Sequence, residues 1–323
     1  MAQRGPFFVG GTGRSGTTHL TTVLGQHPAV FALPDETRFI VDPGGLEDLA
    51  QTLTTAYTPY HGDDVLRRFD HLMREHLTGQ TLTTFRGYDL PSMVGRERYW
   101  SALARLREQL VWYTFDEAIP PAPSTVARDP DEPATHRRVV PRYFPSRREL
   151  IVLLRGFVEG LFDGAASDRG KQTWCEKTPL NILSAPFLWE LFPEATVIHI
   201  MRHPVTVVAS HLHQHWAPAT LQDVVSWLSP IYQRWFTLRD TLDLARVRLV
   251  ELRLEDLADD WPRRRAELFA TLGLADAETE AGFERAAVHH RDAQLSSDER
   301  AYVVKGLGWA IERLGYDPAQ TGA

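Results

Sequence analysis

The chain has 323 residues, 43% of them hydrophobic, and a formal net charge of −7. That length can bury a full core as one large α/β domain or a domain with an insert, while the acidic balance excludes the broad basic surface that nucleic acid requires. The single cysteine, Cys175, excludes an internal disulfide, and no run of about 18 apolar residues is present to span a membrane. The first strand begins a few residues after Met1 with no leader between them, so a soluble cytosolic protein is expected.

The first predicted element is a strand, Phe7–Val9, within Pro6-Phe-Phe-Val-Gly-Gly-Thr-Gly-Arg-Ser-Gly-Thr-Thr18. It runs into a glycine-rich loop and then a helix from about Thr17 to Gly25. Backbone N–H groups of such a loop converge on an anion, helped by the helix N-terminus. In the phosphate-loop pattern G-x-x-x-x-G-K-[ST], begun at Gly11 and closed at Gly16, the lysine position holds Thr17. The positive charge sits inside the loop instead, at Arg14. The loop therefore suits a phosphate, but not a γ-phosphate held by lysine and Mg²⁺.

A short strand at Ala29–Leu33 should follow and deliver Asp35-Glu36-Thr37-Arg38 to the carboxyl edge of a parallel sheet, where open α/β folds bind ligands. Residues 45–118 read as helical, with Tyr99, Leu103, Leu106, Leu110 and Tyr113 at helical spacing over Glu97–Glu117. Residues 119–146 carry prolines at 120, 121, 123, 130, 133, 141 and 145. This predicts an extended excursion, either a lid or a plain surface loop. Helix resumes over Arg147–Ala166. Then come a strand at Thr173–Cys175, a helix at Asn181–Leu191, a strand at Thr196–Met201 and a helix at Pro204–His213. A long helix, Leu221–Leu244, is interrupted at Pro230. The last strand is Arg248–Leu252, followed by a helix from Leu254 through Leu272. The tail from 275 reads as polar and irregular, apart from a short helix at Trp309–Leu314. Alternating strands and helices make the sheet parallel.

A second anion pocket is legible in Ala195-Thr-Val-Ile-His-Ile-Met-Arg202-His-Pro204-Val-Thr-Val-Val-Ala-Ser210. Arg202 ends a strand, Pro204 suits a first helical turn, and Ser210 follows on that helix, giving a charge-assisted site. Two phosphate pockets on one sheet imply a ligand with two phosphate groups.

On these segments the chain resembles the sulfotransferases that use 3′-phosphoadenosine-5′-phosphosulfate (PAPS). Trp174-Cys-Glu-Lys177-Thr-Pro179 and Val250-Glu-Leu-Arg-Leu-Glu255-Asp256-Leu257 add to the likeness, and motif order holds from residue 6 to about 260. Among the branches, the loop with His27-Pro28 and Asp35-Glu36-Thr37-Arg38 looks most like the tyrosylprotein sulfotransferases and their bacterial relatives. Eukaryotic members of that branch are membrane-anchored, a departure from the expectation here. The resemblance implies an α/β fold: a central parallel sheet opened by the strand-loop-helix, flanked by helices, with a mostly helical insertion. It implies one domain over residues 1–323, with the insertion and Pro-rich loop at about 45–165 and a polar C-terminal segment at about 275–323.

It further implies that Gly13, Arg14, Ser15, Gly16, Thr17 and Thr18 hold the 5′-phosphosulfate and that Arg202 and Ser210 hold the 3′-phosphate. Arg300, Lys305, Gly306 and Trp309 resemble the closing element over that phosphate. Leu254 stands where relatives carry a tyrosine. PAPS would be donor, 3′,5′-ADP product, and no metal is needed. Negative charge builds on the leaving oxygen while the acceptor loses a proton, so donors are wanted on one side and a base on the other. Arg14, Ser15, Thr17, Thr18 and the loop amides are the donor candidates, with Lys177 to stabilise the bridging oxygen or the sulfonate; Lys177 could instead be a surface lysine bridged to Glu176. Glu36 aligns with the branch's base, and Arg38 would orient it or contact the acceptor. The cytosolic branch uses a histidine base instead, so His19, His211, His213 and His215 are the alternatives to Glu36; otherwise they line the acceptor pocket, with His199 in the core. The 211/213/215 alternation does not make a metal site, since positions i and i+2 of a helix do not share a face. The acceptor is a hydroxyl, less readily an amine, of a small molecule, glycan or peptide, and oligomerisation is left open. Two rivals remain. A phosphate-transferring kinase would need a lysine at Thr17 and a Walker-B aspartate. A non-catalytic nucleotide-binding protein would keep the sheet and lose the base.

Overall fold

A strand that is apolar at every position needs both of its faces covered, as in a parallel sheet with helices on each side. The computed structural model, which describes residues 5–78, 89–118, 135–284 and 295–318, places the first strand so. In chain order the strands are β1 (Phe7–Gly10), β2 (Val30–Ala32), β3 (Val111–Ala118), β4 (Thr135–Pro141), β5 (Thr173–Lys177), β6 (Thr196–Met201) and β7 (Arg248–Arg253). Five of them form one parallel sheet in the order β2-β5-β1-β6-β7, while β3 and β4 pair as an antiparallel hairpin. The expected α/β class with a central parallel sheet is therefore correct.

The strand order matters for function. From β1 the chain crosses to β2, returns to β5 between them, and only then moves to β6 on the far side of β1. Such a reversal leaves a crevice outside the carboxyl ends of the central strands. Register fixes what emerges there: Val9 lies opposite Lys177, and Gly10 opposite His199. The turn after β1, the end of β5 and the Arg202 turn after β6 therefore leave the sheet at one edge.

Contacts group the chain into two compact units, Met1–Thr37 with Ala165–Ala323, and Arg38–Gly164. In the first, one sheet face is covered by the helices Thr17–Gln26, Leu254–Asp259 and Trp261–Thr271, whose Leu20, Leu24, Leu257 and Phe269 pack against Val9 and Ile198. The helices Pro204–His211, Leu221–Thr241 and Ser297–Arg313 share a second apolar cluster that includes Val208, Leu228, Trp235, Leu307 and Ile311. Each such side chain contributes about 1.5–3 kcal/mol on leaving water. The core thereby holds the sheet edge that the polar turns occupy.

The second unit has helices at Leu46–Thr52, Pro59–His71, Leu90–Val94 and Arg96–Leu110, most of Arg147–Ser167, and the β3/β4 hairpin. Phe157 stacks edge-on against both Phe39 and Phe69 at its centre. Buried Asp63 accepts hydrogen bonds from Arg67, Arg138 and the Val139 amide, fastening β4 to the Pro59–His71 helix.

Several predicted elements change. Val111–Ala118 is a strand rather than the end of a helix, because Val-Trp-Tyr-Thr-Phe is a β-branched and aromatic run that packs better on a pleat. Thr135–Pro141, expected within a Pro-rich loop, is its partner strand; the remainder of that loop, 119–134, lies outside the described residues. The tail helix covers Ser297–Arg313 and starts at a capping box between Ser296 and Glu299. Pro230 does not interrupt the Leu221–Thr241 helix. The helix after β7 breaks at Asp260, ahead of Pro262.

Candidate active site

The turn after β1 is wound by residues with positive φ: Gly13 at 78°, Arg14 at 55° and Gly16 at 98°. Gly16 is the cap of the Thr17–Gln26 helix and supplies no side chain to it. Glycine is required at this position, since a Cβ would fall 2.8 Å from Leu254 Cδ1. The backbone N–H groups of the first helical turn are thus left for another acceptor. Ser15 is wholly buried, and its Oγ has no hydrogen-bond partner among the described residues. An unmet buried hydroxyl costs about 1–3 kcal/mol, a cost that a ligand oxygen in the loop would relieve. Thr17 is buried beneath the loop and Thr18 is exposed at its rim.

On the β6 side, Arg14 Nε donates to Ser210 Oγ at 3.1 Å, and Arg202 Nη1 donates to the Arg14 carbonyl at 3.4 Å. The two predicted anion motifs are therefore in direct contact through Arg14. Arg202 is 9% exposed and Ser210 1%. The turn between them is held from the Leu254–Asp259 helix: the His203 amide donates to Glu255 Oε1 at 2.9 Å, and Tyr316 Oη donates to Glu255 Oε2 at 2.7 Å. Burial and the adjacent Glu255 charge push the Tyr316 hydroxyl well above its ordinary value, so it stays a donor. Leu254, in the position where a tyrosine was missed, packs against Gly16 instead.

On the β5 side, Lys177 is buried, and its Nζ donates to Thr18 Oγ1 at 3.1 Å. The Glu36 carboxylate lies 3.6 Å from that nitrogen and Asp35 3.9 Å. The alternative pairing of Lys177 with Glu176 is not seen. Glu176 is fully buried and accepts from Thr37 Oγ1 (2.9 Å), Thr178 Oγ1 (2.7 Å) and Asn181 Nδ2 (2.7 Å). Its carboxyl is pushed above the ordinary carboxylate value by burial, against the pull of those hydrogen bonds. Glu176 thereby pins the segment carrying Glu36 to the end of β5. Sequence reading gave it no such role. The signal was strand alternation, which turns neighbouring residues 176 and 177 to opposite faces.

The other candidates have these contacts. Arg38, at a φ of 61°, pairs with Asp42 within the second unit. Lys305 stands exposed on the Ser297–Arg313 helix and is not among the side chains meeting at the loop. His19 faces Phe283 and the Gly282 carbonyl, and His199 is core, edge-to-face with Trp235. His211 is fully buried beside Ser210. Among the described residues no group of three or more His, Cys, Asp or Glu could hold a metal, and no helix is long and apolar enough to cross a membrane.

The family model described as "Sulfotransferase family" matches residues 6–278. The omega-hydroxy-beta-dihydromenaquinone-9 sulfotransferases Stf3 of Mycobacterium bovis and Mycobacterium tuberculosis are 31% identical to the chain over 167 residues, 46% of its length. The matched stretch spans only 42% of those curated relatives. Among solved structures, sulfotransferase STF1 from Mycobacterium tuberculosis aligns over 97% of this chain and 77% of its own, with a TM-score of 0.42 and 16% identity. The sulfotransferase domain of the Synechococcus PCC 7002 olefin synthase aligns over 98% of both chains, with a TM-score of 0.47 and 16% identity.

Proposed function

We propose, for a chain that belongs to the sulfotransferase family, that it moves a sulfuryl group from PAPS to a hydroxyl acceptor. The observation that carries this reading is the two-sided loop: Thr18 meets Lys177 beside Glu36, while Arg14 meets Ser210 beside Arg202. The orphaned Ser15 hydroxyl and the uncapped N-terminus of the first helix fit the phosphosulfate, and Arg202 with Ser210 fits the 3′-phosphate. When bound, PAPS supplies the sulfuryl group and is left as 3′,5′-ADP.

Arg14, Ser15, Thr17, Thr18 and the loop amides bind and orient the anion. Lys177 holds positive charge where negative charge grows on the leaving side, in a buried position that strengthens it. Glu36 takes the proton of the acceptor hydroxyl. Glu176 keeps Glu36 in reach by gripping Thr37. The curated relatives act on an omega-hydroxy-dihydromenaquinone, as their name states, so an apolar primary alcohol heads the acceptor panel, ahead of phenols, sugars and peptide tyrosine.

The test is incubation with PAPS and that panel, reading acceptor mass by spectrometry. A mass gain of one SO₃, with 3′,5′-ADP formed in step, supports the reading. Release of 3′,5′-ADP with no sulfated acceptor, or association with ATP–Mg²⁺ in preference to 3′,5′-ADP, overturns it.

A further inference from the structure

His211 follows Ser210 in sequence and takes none of the roles above. Its ring is wholly buried and capped by Trp216 of the following turn and Trp227 of the Leu221–Thr241 helix, at 5.6 and 5.1 Å between centroids. Nδ1 lies 2.8 Å from the Val207 carbonyl. A carbonyl only accepts, so Nδ1 carries the hydrogen of the neutral ring and Nε2 is a bare lone pair. That Nε2 is buried with no hydrogen-bond partner among the described residues. It faces the loop, since a Cβ on Gly13 would lie 3.6 Å from it.

Four elements surround the ring. Its own helix brings Val207 and Ser210, and the tryptophans bring no titratable group. The loop brings Arg14, the charged side chain that acts on the ring, and Arg202 reaches Arg14's carbonyl. Burial first, and the Arg14 charge with it, hold the imidazole down to about 4, so the ring is neutral near pH 7. Anions in the adjoining pockets reverse that field, because a nearby negative charge favours the protonated form.

We propose that His211 is a positioning residue of the phosphate grip: when phosphates fill the loop and the Arg202–Ser210 turn, Nε2 binds one proton from solvent. The new N–H bond then holds the Gly13–Arg14 backbone in its anion-binding form. Nothing else is made or broken in this step, and nucleotide and proton strengthen each other's binding reciprocally. The proposal rests on the nucleotide reading above and names its proton linkage.

Titration calorimetry of 3′,5′-ADP at pH 6.5, in buffers of differing ionisation heat, counts the protons taken up by the wild type and by His211→Gln. The nucleotide's own phosphates, which titrate near ~6, are common to both proteins and cancel in the difference. The wild type should take up about one proton more per nucleotide, and its affinity should weaken by up to about tenfold per pH unit above the bound-state pKa. The variant should bind with a flatter pH profile. Equal proton counts in two proteins that both bind overturn the role of His211 alone. Failure of both to bind 3′,5′-ADP overturns the nucleotide reading, and this proposal with it. Should the variant not fold, ¹⁵N spectra of wild-type histidine rings decide: a ring becoming doubly protonated on nucleotide addition supports the proposal, and unchanged rings overturn it.

Discussion

The two flanks of the glycine loop are built from the same parts, a strand end and a turn, yet their chemistry is opposite. Toward β5, Lys177 sits among carboxylates, Glu36 at 3.6 Å and Asp35 at 3.9 Å, and both carboxylates reach solvent. Toward β6, Arg14 and Arg202 meet a hydroxyl and a carbonyl, and the neighbouring His211 is neutral and buried. A flank with charges of both signs can hold a leaving oxygen and take a proton. A flank whose two guanidinium groups meet a hydroxyl and a carbonyl, with Glu255 engaged by the His203 amide and Tyr316, is suited to holding an anion. In the proposed function the first flank would serve turnover and the second recognition, and substitutions on the two sides should therefore fail in different ways.

The largest effect is expected on the β5 flank. Glu36→Gln keeps the shape and removes the proposed base, and kcat should fall about 100- to 10,000-fold. Lys177→Ala should lower it about 100- to 1,000-fold. In both, calorimetric affinity for 3′,5′-ADP should stay within a few-fold of wild type. A Glu36→Gln enzyme with full kcat would move the base to another residue.

Arg202→Ala should show the opposite signature. Losing a charge-assisted hydrogen bond costs about 1.5–3 kcal/mol, which is about 10- to 150-fold in Kd for 3′,5′-ADP. Binding of 5′-AMP, which lacks the second phosphate, should change little, and kcat at saturating donor should be nearly retained. Equal losses for the two nucleotides would erase the distinction between the flanks. Gly16→Ala acts on the hinge they share: a left-handed alanine costs about 1–2 kcal/mol, and crowding of Leu254 adds about 1–3 kcal/mol. Thermal unfolding should show this as a lowered Tm, together with weaker binding of both nucleotides.

The β5–β1–β6 part of the sheet was legible because apolar runs ending in Gly10, Lys177 and Arg202 have few ways to end other than at a polar edge. The hairpin was less so. Glu97–Leu110 and Val111–Ala118 form one stretch of mixed polarity, and helical spacing of Leu103, Leu106 and Leu110 carried the reading past its end. Glycines 306 and 308 weaken helix propensity in the tail and masked a helix whose Ser296–Glu299 box was present to be read. Tyr316 left no local signal, because it meets Glu255 only through distant packing, and the place of His211 beneath Gly13 likewise depends on packing across the fold.

The smallest effect, and the one that probes how the catalytic flank is held, concerns Glu176. Its folded-state carboxyl lies above its ordinary value of 4.5, with burial the leading cause. As pH rises past 4.5 the unfolded chain gives up this proton before the folded protein does, so the folded state loses ground until its own carboxyl has ionised. Every tenfold difference in acid strength is worth about 1.4 kcal/mol. Below 4.5 both forms are protonated and the penalty vanishes. Glu176→Gln removes the titration but turns an amide NH₂ toward either Asn181 or the threonine hydroxyls, so it should be less stable at low pH. Its urea midpoint should then converge on that of the wild type as pH climbs from 4 to 7. If the two midpoints run parallel over that range, the carboxyl does not titrate there. Thr37 would also be held less firmly in the variant, so kcat should fall several-fold with Kd for 3′,5′-ADP unchanged, which places the effect on the turnover flank alone.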